Sequence, residues 1–174
     1  MPSTASDVRL VLVRHAPAAE RDPARWPDDG RRPLTPEGAA AMRRAAAGLA
    51  REIGRVDRLA TSGAARCRAT AEIVRAGLDR PPALEIWPEL APGGLAPPIL
   101  ARVARVAGSA ERILVVGHDP TLAELLGIAV LGEGSPIARL GKGGAARIDF
   151  PEGVRPGAGL LRWLATRKQL ARRA

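Results

Sequence analysis

Val8-Arg9-Leu10-Val11-Leu12-Val13, followed at once by Arg14-His15, is the stretch whose reading decides the fold. A β-branched, nearly continuous apolar run suits a strand buried on both faces. It ends abruptly on two polar side chains. The same event recurs at Ile113-Leu114-Val115-Val116, which closes on Gly117-His118-Asp119-Pro120. The chain has two histidines, His15 and His118, and each stands immediately after an apolar strand. In an open α/β sheet, ligands gather in the crevice at the carboxyl ends of the strands. Both histidines therefore belong to one edge of the sheet, although they are far apart in sequence.

Strands and helices alternate outward from these two anchors. A loop rich in Pro, Asp and Arg runs from Ala16 to about Pro33. At Leu34-Thr35-Pro36-Glu37 a helix start is legible, with Thr35 as N-cap and Pro36 at the first helical position. Met42, Ala46, Leu49 and Ile53 then recur at helical spacing, and Gly54 supplies the stop. Val56 to Thr61 reads as a second strand, and Ala64 to about Ala76 as a helix ended by Gly77. Ala83 to Ile86 is a short third strand, a Pro/Gly-rich loop follows, and Ile99 to Ala107 is helical. Asp119 is expected to cap the next helix, with Pro120 at its first position, running to about Leu131. Ala145 to Phe150 and Leu160 to Ala165 then read as two strands joined by a Pro/Gly turn. The expectation is an α/β three-layer sandwich: a mostly parallel central sheet, helices on both faces, and an antiparallel edge at the C-terminal end.

With 174 residues, 46% of them hydrophobic, the chain can build one compact core and is short for two. A single domain over residues 1–174 is expected, with a core from 7 to 166 and a basic, frayed tail from 167 to 174. No apolar run reaches the roughly 18 residues that a membrane span needs. Met1 to Asp7 lack the basic flank and apolar run of a secretory signal, so a cytoplasmic location is expected. Cys67 is the only cysteine, which excludes an internal disulfide and a cysteine-based zinc cluster. It reads as a small residue on a helix. The net charge is +9 and almost wholly arginine, Lys142 and Lys168 being the only lysines. A basic chain can bind nucleic acid, but four aromatic residues and no tyrosine leave little for base stacking. Anionic substrates fit the charge better.

The second strand delivers a third group to the same edge. After Leu59-Ala60-Thr61-Ser62 comes Gly63-Ala64-Ala65-Arg66, which places Arg66 in the first turn or so of a helix. Helix N-termini offer free N–H groups and a positive dipole end, both suited to phosphate. Any one of these residues has an ordinary explanation. Three strand ends that each present a phosphate-compatible group point together to phosphoryl chemistry.

Four ordered segments also resemble a family: Leu12-Val13-Arg14-His15-Ala16, Arg32-Pro33-Leu34-Thr35-Pro36-Glu37-Gly38, Thr61-Ser62-Gly63-Ala64-Ala65-Arg66-Cys67-Arg68-Ala69-Thr70-Ala71 and Val116-Gly117-His118-Asp119-Pro120. They resemble the histidine phosphatase superfamily. Their order, and the short chain without a large helical insertion, are most similar to its SixA-like phosphohistidine phosphatase branch. The resemblance spans roughly residues 8 to 131. Two positions depart from the family pattern: Ala16 stands where Gly is usual, and Gly63 where Pro follows the serine.

The resemblance implies that His15 attacks phosphorus and becomes transiently phosphorylated. For that it must be neutral at the attacking nitrogen, with the other nitrogen held by a backbone carbonyl. Arg14 and Arg66 would grip the phosphoryl oxygens through planar forks that lysine lacks. His118 would donate a further hydrogen bond, charged in the bound state. No metal or cofactor is called for. In the SixA-like branch an acidic residue three positions before the arginine of the Arg-Pro-Leu-Thr segment lines the site, which corresponds to Asp29 and Arg32. Asp28 and Arg31 lie close enough to compete for that assignment. Many superfamily members protonate an alkoxide leaving group with a carboxylic acid, and Glu89 lies in a comparable segment. The acid stays open between Glu89, Asp29 and none. A phosphohistidine substrate needs less help, because imidazole leaves more readily than an alkoxide. The expected partner is thus a phosphorylated protein carrying phosphohistidine, or a small phosphomonoester. A non-catalytic phosphate- or nucleic-acid-binding module is the alternative of another class, with no membrane partner in any of the three.

Overall fold

The computed structural model describes residues 7–174, so the reading of Met1–Ser6 as lacking a leader lies outside the described residues. Six strands form one sheet: β1 (Val8–Arg14), β2 (Arg58–Thr61), β3 (Leu84–Ile86), β4 (Arg112–Gly117), β5 (Ala145–Phe150) and β6 (Leu160–Ala165). Their spatial order is β3-β2-β4-β1-β5-β6. The first four run parallel, while β5 and β6 are antiparallel to their neighbours. The α/β sandwich with a mostly parallel sheet is therefore present, including the antiparallel end.

Alternation along the strands divides the core. Leu10 and Leu12 face one layer, built by α3 (Ala96–Val106) and α4 (Thr121–Leu131), with Ile99, Val103, Leu122 and Leu126. Val11 and Val13 face the other. That layer is built by α1 (Pro36–Ile53), α2 (Ala65–Ala76) and α5 (Arg167–Ala171), with Met42, Leu49, Val74 and Leu170. Successive side chains of a strand point to opposite faces, so a strand apolar at every position needs helices on both.

The topology places the site. β1 and β4 lie side by side in the middle of the sheet, with Arg14 paired to Gly117. The His15 N–H donates to the Gly117 carbonyl at 3.1 Å, so the ladder runs on to the first histidine. Two residues far apart in sequence thereby leave the sheet at the same point.

Three expectations are corrected. α3 begins at Ala96 rather than Ile99, with Pro97 and Pro98 in its first turn. Those positions have no intrahelical N–H bond to lose, so proline is tolerated there. Asp119 does not cap α4, whose N-cap is Pro120 without a side-chain bond. The Asp119 carboxylate turns instead toward Arg14.

The basic tail is not frayed. Residues 167–171 form α5, opened by a capping box in which Thr166 and Gln169 satisfy one another's backbone N–H groups. Leu170 is fully buried against α1. Gly48 of α1 makes this possible, because a Cβ there would collide with the Leu170 carbonyl. Gly48→Ala is accordingly expected to cost about 1–3 kcal/mol by overpacking. A urea midpoint measurement checks it, and an unchanged midpoint would mean that α5 is not seated as described.

Candidate active site

His15 and His118 face each other beyond the ends of β1 and β4, with ring centroids 5.2 Å apart and planes inclined by 59°. Each is only 6% exposed. His15 Nδ1 is 2.8 Å from the Ala16 carbonyl, an acceptor only, so Nδ1 carries the proton. Nε2 is then the nitrogen with a lone pair. The Ala16 N–H donates to Thr70 Oγ1, whose hydroxyl donates to the Arg66 carbonyl. The turn after His15 is thus tied to α2.

Burial is the main cause that lowers the His15 pKa from its ordinary 6.5 to about 4, opposed by the Ala16 carbonyl and aided by Arg66, Arg14 and Lys142. His118 is lowered to about 3, again chiefly by burial, with Arg66 and His15 adding to it. Both rings are therefore neutral at pH 7. For His118 the Asp29 charge opposes the lowering without overcoming it. His118 Nε2 lies 3.0 Å from Ser62 Oγ and 3.3 Å from Cys67 Sγ. Cys67 is more than a neutral filler, since it packs beneath the ring, but burial raises its thiol to about 11 and keeps it protonated.

The unfolded chain binds protons on both histidines below about pH 6.5, whereas the folded site does so only near 4 and 3. This stability contribution is complete above 6.5 and is lost as pH falls toward those values. Lowering the pH from 7 to 5 should therefore cost on the order of 2–4 kcal/mol. Urea unfolding at the two pH values measures it, with a His15→Gln/His118→Gln variant as control. An equal loss in that variant would contradict the assignment.

The structure also gathers the arginines. Arg66, 3% exposed, directs NH1 to the Asp29 carbonyl at 2.8 Å and NH2 to the Asp29 carboxylate at 3.0 Å. Arg32 donates Nε to the same carboxylate at 2.8 Å and NH1 to the Ala19 carbonyl at 2.7 Å. The Arg32 hydrogen bond is the largest cause that holds the Asp29 carboxyl below its usual range. Asp28 instead accepts the Gly30 N–H and caps the one-turn helix at Asp29–Arg31. Arg14 donates NH1 to the Leu140 carbonyl at 2.8 Å. Nε of both Arg14 and Arg66 is buried without an acceptor, which leaves donors uncommitted.

Glu89 makes no hydrogen bond or salt bridge to this group among the described residues. Both of its oxygens accept from Arg102 NH1, at 3.1 and 2.9 Å, and Arg102 stacks over Trp87. Its carboxylate is committed to an ion pair with α3. Sequence reasoning also missed four contributors: Ser62, Thr70, Asp119 and the Leu140 carbonyl. Thr70 had a signal, since it lies four residues after Arg66 on the same helical face. The carbonyl had none. Among the described residues, no three His, Cys, Asp or Glu side chains converge as a metal-holding group. No described helix is long and apolar enough to cross a membrane.

The model of the histidine phosphatase superfamily (branch 1) matches residues 10–91. A putative phosphohistidine phosphatase SixA from Nakamurella multipartitia is 30% identical, covering 94% of this chain and 98% of its own, with a TM-score of 0.74. This chain belongs to the histidine phosphatase superfamily. Within it, the chain is SixA-like. The protein histidine phosphatase SixA complexed with tungstate superposes with a TM-score of 0.81 at 26% identity, over 94% of this chain and 99% of that one. A putative alpha-ribazole-5'-P phosphatase from Escherichia coli shares the fold, with a TM-score of 0.70 at 19% identity, over 92% and 97%. In this superfamily member the two histidines and Arg66 are all buried at that edge, together with Ser62 and Thr70, as a preorganised site requires.

Proposed function

We propose that this histidine phosphatase superfamily member removes the phosphoryl group from phosphohistidine on a protein, through a phospho-His15 intermediate. The observation that carries the substrate choice is that both carboxylic acids read from the sequence as candidate proton donors are tied up in ion pairs with arginines. Asp29 is held by Arg66 and Arg32, and Glu89 by Arg102. An alkoxide leaving group needs such a proton donor, and an imidazole does not to the same degree.

In the first step the Nε2 lone pair of His15 forms a bond to phosphorus as the substrate P–N bond breaks. The electron pair of that bond returns to the substrate ring, which reacts with a proton on its other nitrogen and so leaves as neutral imidazole. The bond made and the bond broken are of one kind, so this step is close to balanced. Arg14, Arg66 and a His118 N–H receive the charge spread over the phosphoryl oxygens. Water then attacks phospho-His15, its oxygen bonds to phosphorus, and His15 regains the pair as inorganic phosphate departs. Likeness to SixA at 30% and 26% identity supports this reading. The shared fold alone does not choose it, since a phosphatase named for a small phosphate ester has the same fold.

A panel of phosphohistidine peptides and small phosphate esters, run with and without chelator, tests the proposal. Phosphohistidine should be hydrolysed with the higher kcat/KM, unaffected by chelator, and Glu89→Gln should change it by less than about threefold. Preference for an ester, with turnover that collapses in Glu89→Gln, would replace this reading by that of a small-molecule phosphomonoesterase.

A further inference from the structure

Asp119 follows His118 and is the one carboxylate beside Arg14. Its side chain is 7% exposed, and its Oδ2 lies 3.5 Å from Arg14 NH1. Neither carboxylate oxygen has a hydrogen-bond partner among the described residues. A buried carboxylate so poorly satisfied is costly and calls for an explanation. Burial raises its pKa, while the Arg14 charge, Arg139 and the nearby Leu140 N–H oppose that rise. The Leu140 carbonyl accepts from Arg14 NH1 at 2.8 Å.

The two arginines of the site are thus built alike. Asp29 sits against Arg66 and Asp119 against Arg14, one carboxylate to each guanidinium. We infer that Asp119 is a positioning residue, which together with the Leu140 carbonyl holds the Arg14 guanidinium in the plane that receives a phosphoryl oxygen. This rests on the proposed phosphoryl site and extends it to a residue outside the four family motif positions that bear on phosphate directly. A guanidinium gives two parallel hydrogen bonds only in one orientation, so an unrestrained Arg14 would bind phosphate less well.

The alternative role predicts the opposite sign. If Asp119 were merely a negative charge near an anion site, removing it would tighten phosphate binding by Coulomb's law. Inorganic phosphate, titrated calorimetrically into the full-length chain, separates the two. Asp119→Ala should weaken binding about tenfold, and Asp119→Asn, which keeps an acceptor oxygen, about threefold or less. In an Arg14→Lys background either change should alter affinity by less than about twofold, because there is no fork left to orient. Phosphate bound equally or more tightly by Asp119→Ala would overturn the inference. Should that variant fail to fold, Asp119→Asn decides alone: weaker binding that vanishes in Arg14→Lys supports the inference, and tighter binding contradicts it. Wild-type protein that binds no phosphate would overturn the proposed function itself, and this inference with it.

Discussion

His15→Ala is expected to reduce phosphohistidine hydrolysis by about 10⁴-fold or more, the scale of loss when a covalent nucleophile is removed. The site is arranged around that one ring. Its Nδ1 is committed to the Ala16 carbonyl, and burial, together with the surrounding cations, keeps it neutral down to about pH 4. The remaining lone pair is on Nε2. Neighbouring His118 has its Nε2 engaged by Ser62 and Cys67. The variant should fold, since a small side chain at the rim of the sheet removes little of the core. Steady-state kinetics with a phosphohistidine peptide makes the measurement. Activity within about tenfold of wild type would place the nucleophile elsewhere.

The second large effect falls on Arg66. Arg66→Lys should lower kcat by about 10²–10³-fold, comparable to losing a preorganised donor to a developing oxyanion. Lysine keeps the charge and loses the fork. Arg66 spends NH1 and NH2 on Asp29, so its orientation is set before any substrate arrives. Lysine cannot bridge the Asp29 carbonyl and carboxylate while also reaching a phosphoryl oxygen. Arg66→Ala should be worse in a different way: it leaves Asp29 with Arg32 alone and a void where a buried side chain was. Comparing kcat with thermal stability for both variants separates the chemistry from the packing. A lysine variant with near wild-type kcat would mean that charge alone suffices.

The strand-end placement of His15, His118 and Arg66 was legible because it follows from local patterns. Apolar runs end on polar residues, and parallel strands share a carboxyl edge. The antiparallel β5 and β6 were legible for the same reason, as were α1 and its caps at Thr35 and Gly54. What escaped depends on pairings between distant segments. Asp119 has the composition of a helix cap, and only the nearness of Arg14 draws its carboxylate away. Glu89 lies in a plausible segment, and its pairing with Arg102 on α3 is seen only in the folded chain. The basic tail is polar in composition, yet a single leucine and a facing glycine seat it as a helix. Arg14 and Asp119, and Gly48 and Leu170, lie too far apart in sequence for any window to contain both.

Trapping the intermediate is the most direct measurement of the central claim. The protein is mixed with a phosphohistidine peptide, quenched rapidly under alkaline conditions that preserve phosphohistidine, and digested for mass spectrometry. One phosphoryl group should appear on the peptide that carries His15, and should be absent from His15→Ala. Phosphate found on another residue, or still present in His15→Ala, would contradict the mechanism.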